Sequence, residues 1–181
     1  IIRHGLKLMS LGFLIDESSA VVWRGPMLFK AMDQFFRDVD WGSLDFLIID
    51  LPPGTGDVPL TVAQKVPVDG AVIVCTPQNL ALVDAKKAID MFDQVHIPLL
   101  GVVENMAFMM APNGQDKIQL FAKGDLDSYL DAKKIKKLAS VPFNPMVGVT
   151  TEAGMPIVVS HSQSAEAEAF KNLAKGIIGN D

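Results

Sequence analysis

The octet Asp50-Leu51-Pro52-Pro53-Gly54-Thr55-Gly56-Asp57 directly follows an apolar run at residues 46–49. A carboxylate at the carboxyl end of a parallel strand lies where α/β sheets bind ligands, and it can orient water on a Mg²⁺ ion. Gly54 and Gly56 let the backbone approach a phosphate closely, while Pro52 and Pro53 restrict the loop. Such a loop can sense a terminal phosphate, because its N–H groups change partners when that phosphate leaves. The plainer alternative is a strand ending in an ordinary Pro-Gly turn.

Other chemically suggestive residues have simpler expected roles. Cys75, the single cysteine, ends an apolar run and is expected to be a buried structural thiol. His4, His96 and His161 lack metal-ligand spacing, so surface or packing roles are expected. Lys133, Lys134, Lys136 and Lys137 are expected on a solvated helix face, with a partner patch as the alternative. Met109 and Met110 suit loop packing or a soft contact surface. For Arg24, an anion or dimer contact and a structural pairing with a carboxylate both stay open.

The elements that must position these groups show as apolar patterning. Residues 44–51, 71–75 and 99–103 are short continuous apolar runs, the pattern of strands covered on both faces. Leu82, Ala85, Ile89, Phe92 and Val95 form a helical stripe between the last two runs, and a short helix-like segment at 59–66 separates the first two. Upstream, Pro26 opens a helix carrying Leu28, Ala31, Met32, Phe35 and Val39, and Gly42 follows its end. Ser164 can cap a last helix with Ala169, Phe170, Leu173 and Ile177. Residues 111–124 are the least patterned stretch, with turn chemistry at Pro112, Asn113 and Gly114. Alternating strands and helices predict a three-layer α/β fold with a mainly parallel sheet.

Composition narrows the functional classes. In 181 residues, 49% are hydrophobic and 20% charged, enough apolar material for one core. A formal charge of −5 argues against binding the nucleic-acid backbone. Apolar stretches are interrupted well before the roughly 18 residues that a membrane-spanning helix needs, so membrane insertion is not expected. One cysteine excludes an internal disulfide and fits a reducing compartment.

In sequence, Lys7-Leu8-Met9-Ser10-Leu11-Gly12-Phe13-Leu14, Trp23-Arg24-Gly25-Pro26-Met27, the octet at 50–57, Thr76-Pro77-Gln78 and Glu104-Asn105-Met106 together resemble the Mrp/ApbC family of deviant P-loop ATPases, relatives of MinD. The resemblance runs through nearly the whole chain and implies a P-loop NTPase-like fold. It also implies ATP and Mg²⁺ as ligands, a homodimer, and iron–sulfur assembly or carriage to recipient apoproteins. It assigns Asp50, Gly54 and Asp57 to catalysis, with Asp50 organising Mg²⁺ through water. Pro53, Gly54, Thr55 and Gly56 would contact the terminal phosphate. Asn105 would bond adenine, a task suited to an amide's paired donor and acceptor. Val141-Pro142-Phe143 resembles the later loop beside the base, placing Pro142 there.

Two departures qualify the resemblance. No G-x-x-x-x-G-K-[ST] motif occurs, so the phosphate-loop portion is expected to be missing and residues 1–181 to form a single partial domain. Residues 108–114 lack the Cys-x-x-Cys pair with which many relatives hold a bridging cluster. A nonenzymatic scaffold of the same fold and a MinD-like positioning ATPase are the alternative functions. The expected location is the cytoplasm, or an organelle lumen in a eukaryote.

Overall fold

In the computed structural model, residues 1–14, 25–51, 60, 62, 66–114 and 116–179 are described. They form two compact units, divided after Val66.

The first unit begins with a minimal hairpin, β1 (Ile2–Arg3) and β2 (Leu6–Lys7). His4 and Gly5 both take positive φ, as a two-residue turn between twisted antiparallel strands requires. A 3₁₀ turn (Leu11–Leu14) and helix α1 (Gly25–Arg37) follow. Ala31 is buried and Met32, Phe35 and Val39 are half-buried, as the stripe predicts. Beyond α1, the Trp41 indole N–H donates to the Phe35 carbonyl at 2.8 Å, satisfying an acceptor in the last helical turn. Leu60 and Val62, the described part of the expected helix at 59–66, are helical, and Val62 is buried.

Residues 44–51 depart from expectation. They carry no strand pairing, and Leu44, Phe46, Leu47 and Ile48 are exposed, Ile48 by 82%. Apolar content specifies a wish for burial, but a strand forms only where a neighbouring backbone completes its ladder. Among the described residues of this unit, none does so.

The second unit contains a four-stranded sheet. Strand β3 (Ala71–Cys75) leads through helix α2 (Asn79–Gln94) to β4 (Leu99–Met110), a right-sized β-α-β unit with β3 and β4 parallel. Helix α2 buries Leu82, Ala85, Ile89 and Phe92, and contacts β3 and β4. Strand β5 (Lys117–Ile118) turns back antiparallel on the end of β4, through a turn in which Gly114 has φ of +70°. After helix α3 (Leu126–Lys133), strand β6 (Lys137–Phe143) pairs parallel with the other side of β4. Helices α4 (Pro145–Glu152), α5 (Ile157–Ser160) and α6 (Ala165–Ile178) complete the unit. Ser164 caps α6 as expected, its hydroxyl accepting from the Ala167 N–H at 3.1 Å.

Central strand β4 carries the best-buried segment, with Val102 0% and Val103 3% exposed. Full burial of such a side chain contributes about 1.5–3 kcal/mol, so β4 anchors the sheet. The result is an α/β fold whose principal sheet, β3-β4-β6, is parallel.

Candidate functional site

The continuous parallel ladders of β4 with β3 and with β6 end at one sheet edge, past which β4 runs on to Met110. The register runs Cys75↔Glu104 between β3 and β4, and Glu104↔Ser140 then Asn105↔Val141 between β4 and β6. Topology thus brings Asn105 beside Val141 and Pro142, although 36 positions separate the paired residues in sequence. Val141 and Pro142 are buried, and both belong to the end of β6, where the sequence suggested a loop. Asn105 likewise lies within β4. Its side-chain Oδ1 accepts from the Met106 N–H at 3.0 Å. Directly after it the ladder breaks: Met106 has φ of +54°, and pairing with β6 resumes only at Met109↔Phe143.

The β3–α2 connection belongs to the same edge. The Thr76 hydroxyl donates to the Gln78 side-chain oxygen at 2.7 Å. A later segment docks on this connection: the Gly124 N–H donates to the Pro77 carbonyl at 3.0 Å, and the Asp125 N–H to Asn79 Oδ1 at 2.9 Å. A Cβ at Gly124 would stand 2.7 Å from the Pro77 oxygen, so only glycine permits this approach.

Beneath the edge lies an ionic network that the sequence reading missed. Glu104 is buried, and its Oε2 accepts from Lys137 Nζ at 3.2 Å and from the Ser140 hydroxyl at 3.0 Å. Lys137 also pairs with Asp127 on α3, which receives a second ion pair from Lys123 at 2.9 Å. Lys137 therefore does not sit on a solvated helix face. The helix ends at Lys133, Lys134 takes a left-handed cap conformation, and Lys137 begins β6. The signal available in sequence was Glu104 itself, a carboxylate following the apolar Val102 and Val103, which must find a partner if it is buried.

The ionisations follow from these contacts. Hydrogen bonds from Lys137 and then Lys123 hold the Asp127 carboxyl below its ordinary range. Burial alone would lower the Lys137 pKa, but its bonds to Asp127 and Glu104 and their charges outweigh this and raise it. Cys75 is buried as expected; burial and then the nearby Glu104 charge push its thiol up to about 11, against a smaller opposing effect of Lys137.

Asp50 is exposed and belongs to the unpaired 44–51 segment of the first unit, not to the end of a parallel strand. Pro53, Gly54, Thr55, Gly56 and Asp57 lie outside the described residues, as does Arg24. Among the described residues, no group of three metal-binding side chains comes together, and no helix is long and apolar enough to cross a membrane.

Comparisons with known proteins extend this picture. The chain is 48% identical over 174 residues to the iron-sulfur cluster carrier protein of Aquifex aeolicus, covering 96% of this chain and 48% of that protein. It is 39% identical over 178 residues to the mouse (Mus musculus) iron-sulfur cluster transfer protein NUBPL, covering 98% of this chain and 56% of that protein. The chain thus spans about half the length of the curated relatives it matches. A nucleotide-binding protein from Archaeoglobus fulgidus, solved in complex with ADP and with cobalt, superposes with a TM-score of 0.63 at 40% identity, covering 71% of this chain and 53% of that one. Residues 1–178 match the family described as ParA: NUBPL iron-transfer P-loop NTPase, and the chain belongs to that family.

Proposed function

We propose that this chain is part of an ATP-binding iron–sulfur cluster carrier or assembly protein, in which nucleotide hydrolysis drives rearrangement of two protomers. The observation that carries the reading is the 48% identity, across 96% of the chain, with a protein named as an iron-sulfur cluster carrier. The sheet edge supports the nucleotide part. Asn105 has an amide with a donor and an acceptor, as reading the edge of adenine requires, and the buried Pro142 flanks it.

In this reading Asp50 organises Mg²⁺ through water and acts in catalysis with Gly54 and Asp57. Pro53, Gly54, Thr55 and Gly56 follow the terminal phosphate. Mg²⁺ supplies charge neutralisation at the phosphates when bound. The match running through residues 1–178 supports treating both units as one partial domain. The cluster is cargo delivered to apoproteins, and this chain's own donor set does not fit it: its one cysteine is buried at the end of β3. The compartment proposed is the cytoplasm, or an organelle lumen in a eukaryote.

The test compares ATP and GTP binding with Mg²⁺, using the chain with a phosphate-binding segment ahead of residue 1. Asn105→Ala is expected to lower the ATP/GTP preference by about tenfold, the effect of losing one positioned hydrogen bond, while phosphate-dependent binding persists. An unchanged preference removes Asn105 from the base site.

A further inference from the structure

Strand β4 is regular against β6 for only a short distance where it matters. Between the irregularity at Val102/Val103 and the break after Asn105, the ladder consists of Val103↔Ala139, Glu104↔Ser140 and Asn105↔Val141. Beyond it, Met106 is held at a φ of +54°, a conformation costly for a side chain of this size. A short ladder between two irregularities does little by itself to fix its last residue, because a register slip there costs few backbone bonds.

The ionic network crosses this ladder. Glu104 on β4 holds the Ser140 hydroxyl on the opposite rung and Lys137 at the start of β6, and Lys137 reaches on to Asp127 on α3. Three elements are thereby tied together one residue before Asn105. Side chains of similar volume without charge would fill the same space at little or no loss of stability. What they would not supply is direction: a buried carboxylate with two donors accepts one register and penalises the others.

We infer that Lys137, acting through Glu104, is a positioning residue that sets the ladder ending at Asn105 and so determines how selectively the edge binds an adenine base. The inference rests on the proposed role of Asn105. Lys137 touches no nucleotide in it; it fixes the strand that does.

The experiment measures Mg-ATP and Mg-GTP dissociation constants for the chain carrying a phosphate-binding segment ahead of residue 1 and for its Lys137→Met, Lys137→Arg, Glu104→Gln/Lys137→Met and Asn105→Ala variants, with circular dichroism for folding. Lys137→Met is expected to lower the ATP/GTP preference by about fivefold to tenfold, approaching Asn105→Ala, with GTP affinity little changed. Lys137→Arg, which keeps a cation with several donors, should restore most of the preference. If Lys137→Met fails to fold because Glu104 is left unpaired, the double variant, which buries no orphan charge, serves in its place and should show the same loss. A preference retained in a folded Lys137→Met or double variant, while Asn105→Ala loses it, overturns the positioning role alone. A preference unchanged in Asn105→Ala overturns the base-site reading and the inference with it. Equal weakening of ATP and GTP in Lys137→Met, with no rescue by Lys137→Arg, indicates a general structural role and also overturns the inference.

Discussion

Cys75 shows how a residue's chemistry is decided by its surroundings. Its thiol is buried, faces the charge of Glu104, and has a pKa pushed up to about 11 from an ordinary 9.0. The thiolate is the reactive form, so a two-unit rise cuts its population at neutral pH by about a hundredfold. Native protein at pH 7.5 should therefore react with iodoacetamide at least about a hundredfold more slowly than protein unfolded in urea. Comparable rates in the two states would contradict the burial of Cys75 at the end of β3. This burial was legible in the sequence because an apolar strand announces itself locally. The partnership of Glu104 with Lys137 and Ser140 was not, because 33 and 36 positions separate these residues and only the β4–β6 register joins them. Asn105 was legible as a motif, but its adjacency to Pro142 also depends on that register.

The elements divide along the same line between local and nonlocal information. Helix α2 and strand β3 follow their apolar spacing, and α6 begins at the Ser164 cap, since these signals act within a few residues. Residues 44–51 have strand-like composition but no pairing among the described residues, for pairing depends on a neighbour that composition does not name. The two-residue β5 is too short to show any period. The lysines at 133–137 were misread as one helix face because residues 125–141 contain neither Gly nor Pro to mark where α3 stops. What joins α3 to β6 is the Asp127–Lys137 pair, and its dependence on pH has a definite sign. The raised Lys137 pKa means that its contribution is complete below the unfolded lysine value, about 10.4, and fades as pH rises through the folded value. The lowered Asp127 pKa means that its contribution is complete above the unfolded value, about 3.9, and fades as pH falls through the folded one. Lys137→Met should therefore be less stable than the parent by about 1–3 kcal/mol near neutral pH, with a gap that narrows as pH falls and the carboxylates left without their cation protonate, and narrows again as pH rises through the folded Lys137 value. Urea unfolding across pH 3–11 measures it, and a gap that persists unchanged to both extremes would contradict the assignment of these groups.

At the scale of the whole molecule, the family's cargo and this chain's ligands pull apart. The relatives are named for carrying or transferring iron–sulfur clusters, and such clusters are held chiefly by thiolates, usually four. This chain has one cysteine, so two protomers together offer two. Each of these is 7% exposed at the end of β3, and its thiol is protonated at neutral pH. At residues 108–114, where the family resemblance would place a cysteine pair, the structure has the end of β4 and its turn toward β5, with Asn113 Nδ2 donating to Asp116 Oδ2 at 2.7 Å. Under the proposed reading, cluster ligation is therefore separable from nucleotide binding. Anaerobic reconstitution of these 181 residues with iron and sulfide should accordingly leave no stoichiometric cluster after desalting, measured as iron and acid-labile sulfide per protomer together with visible absorption. The Cys75→Ser variant should give the same result. A stable cluster in the parent that disappears in the variant would mean that Cys75 leaves its buried position to become a ligand, and that the cargo is held where β3 ends.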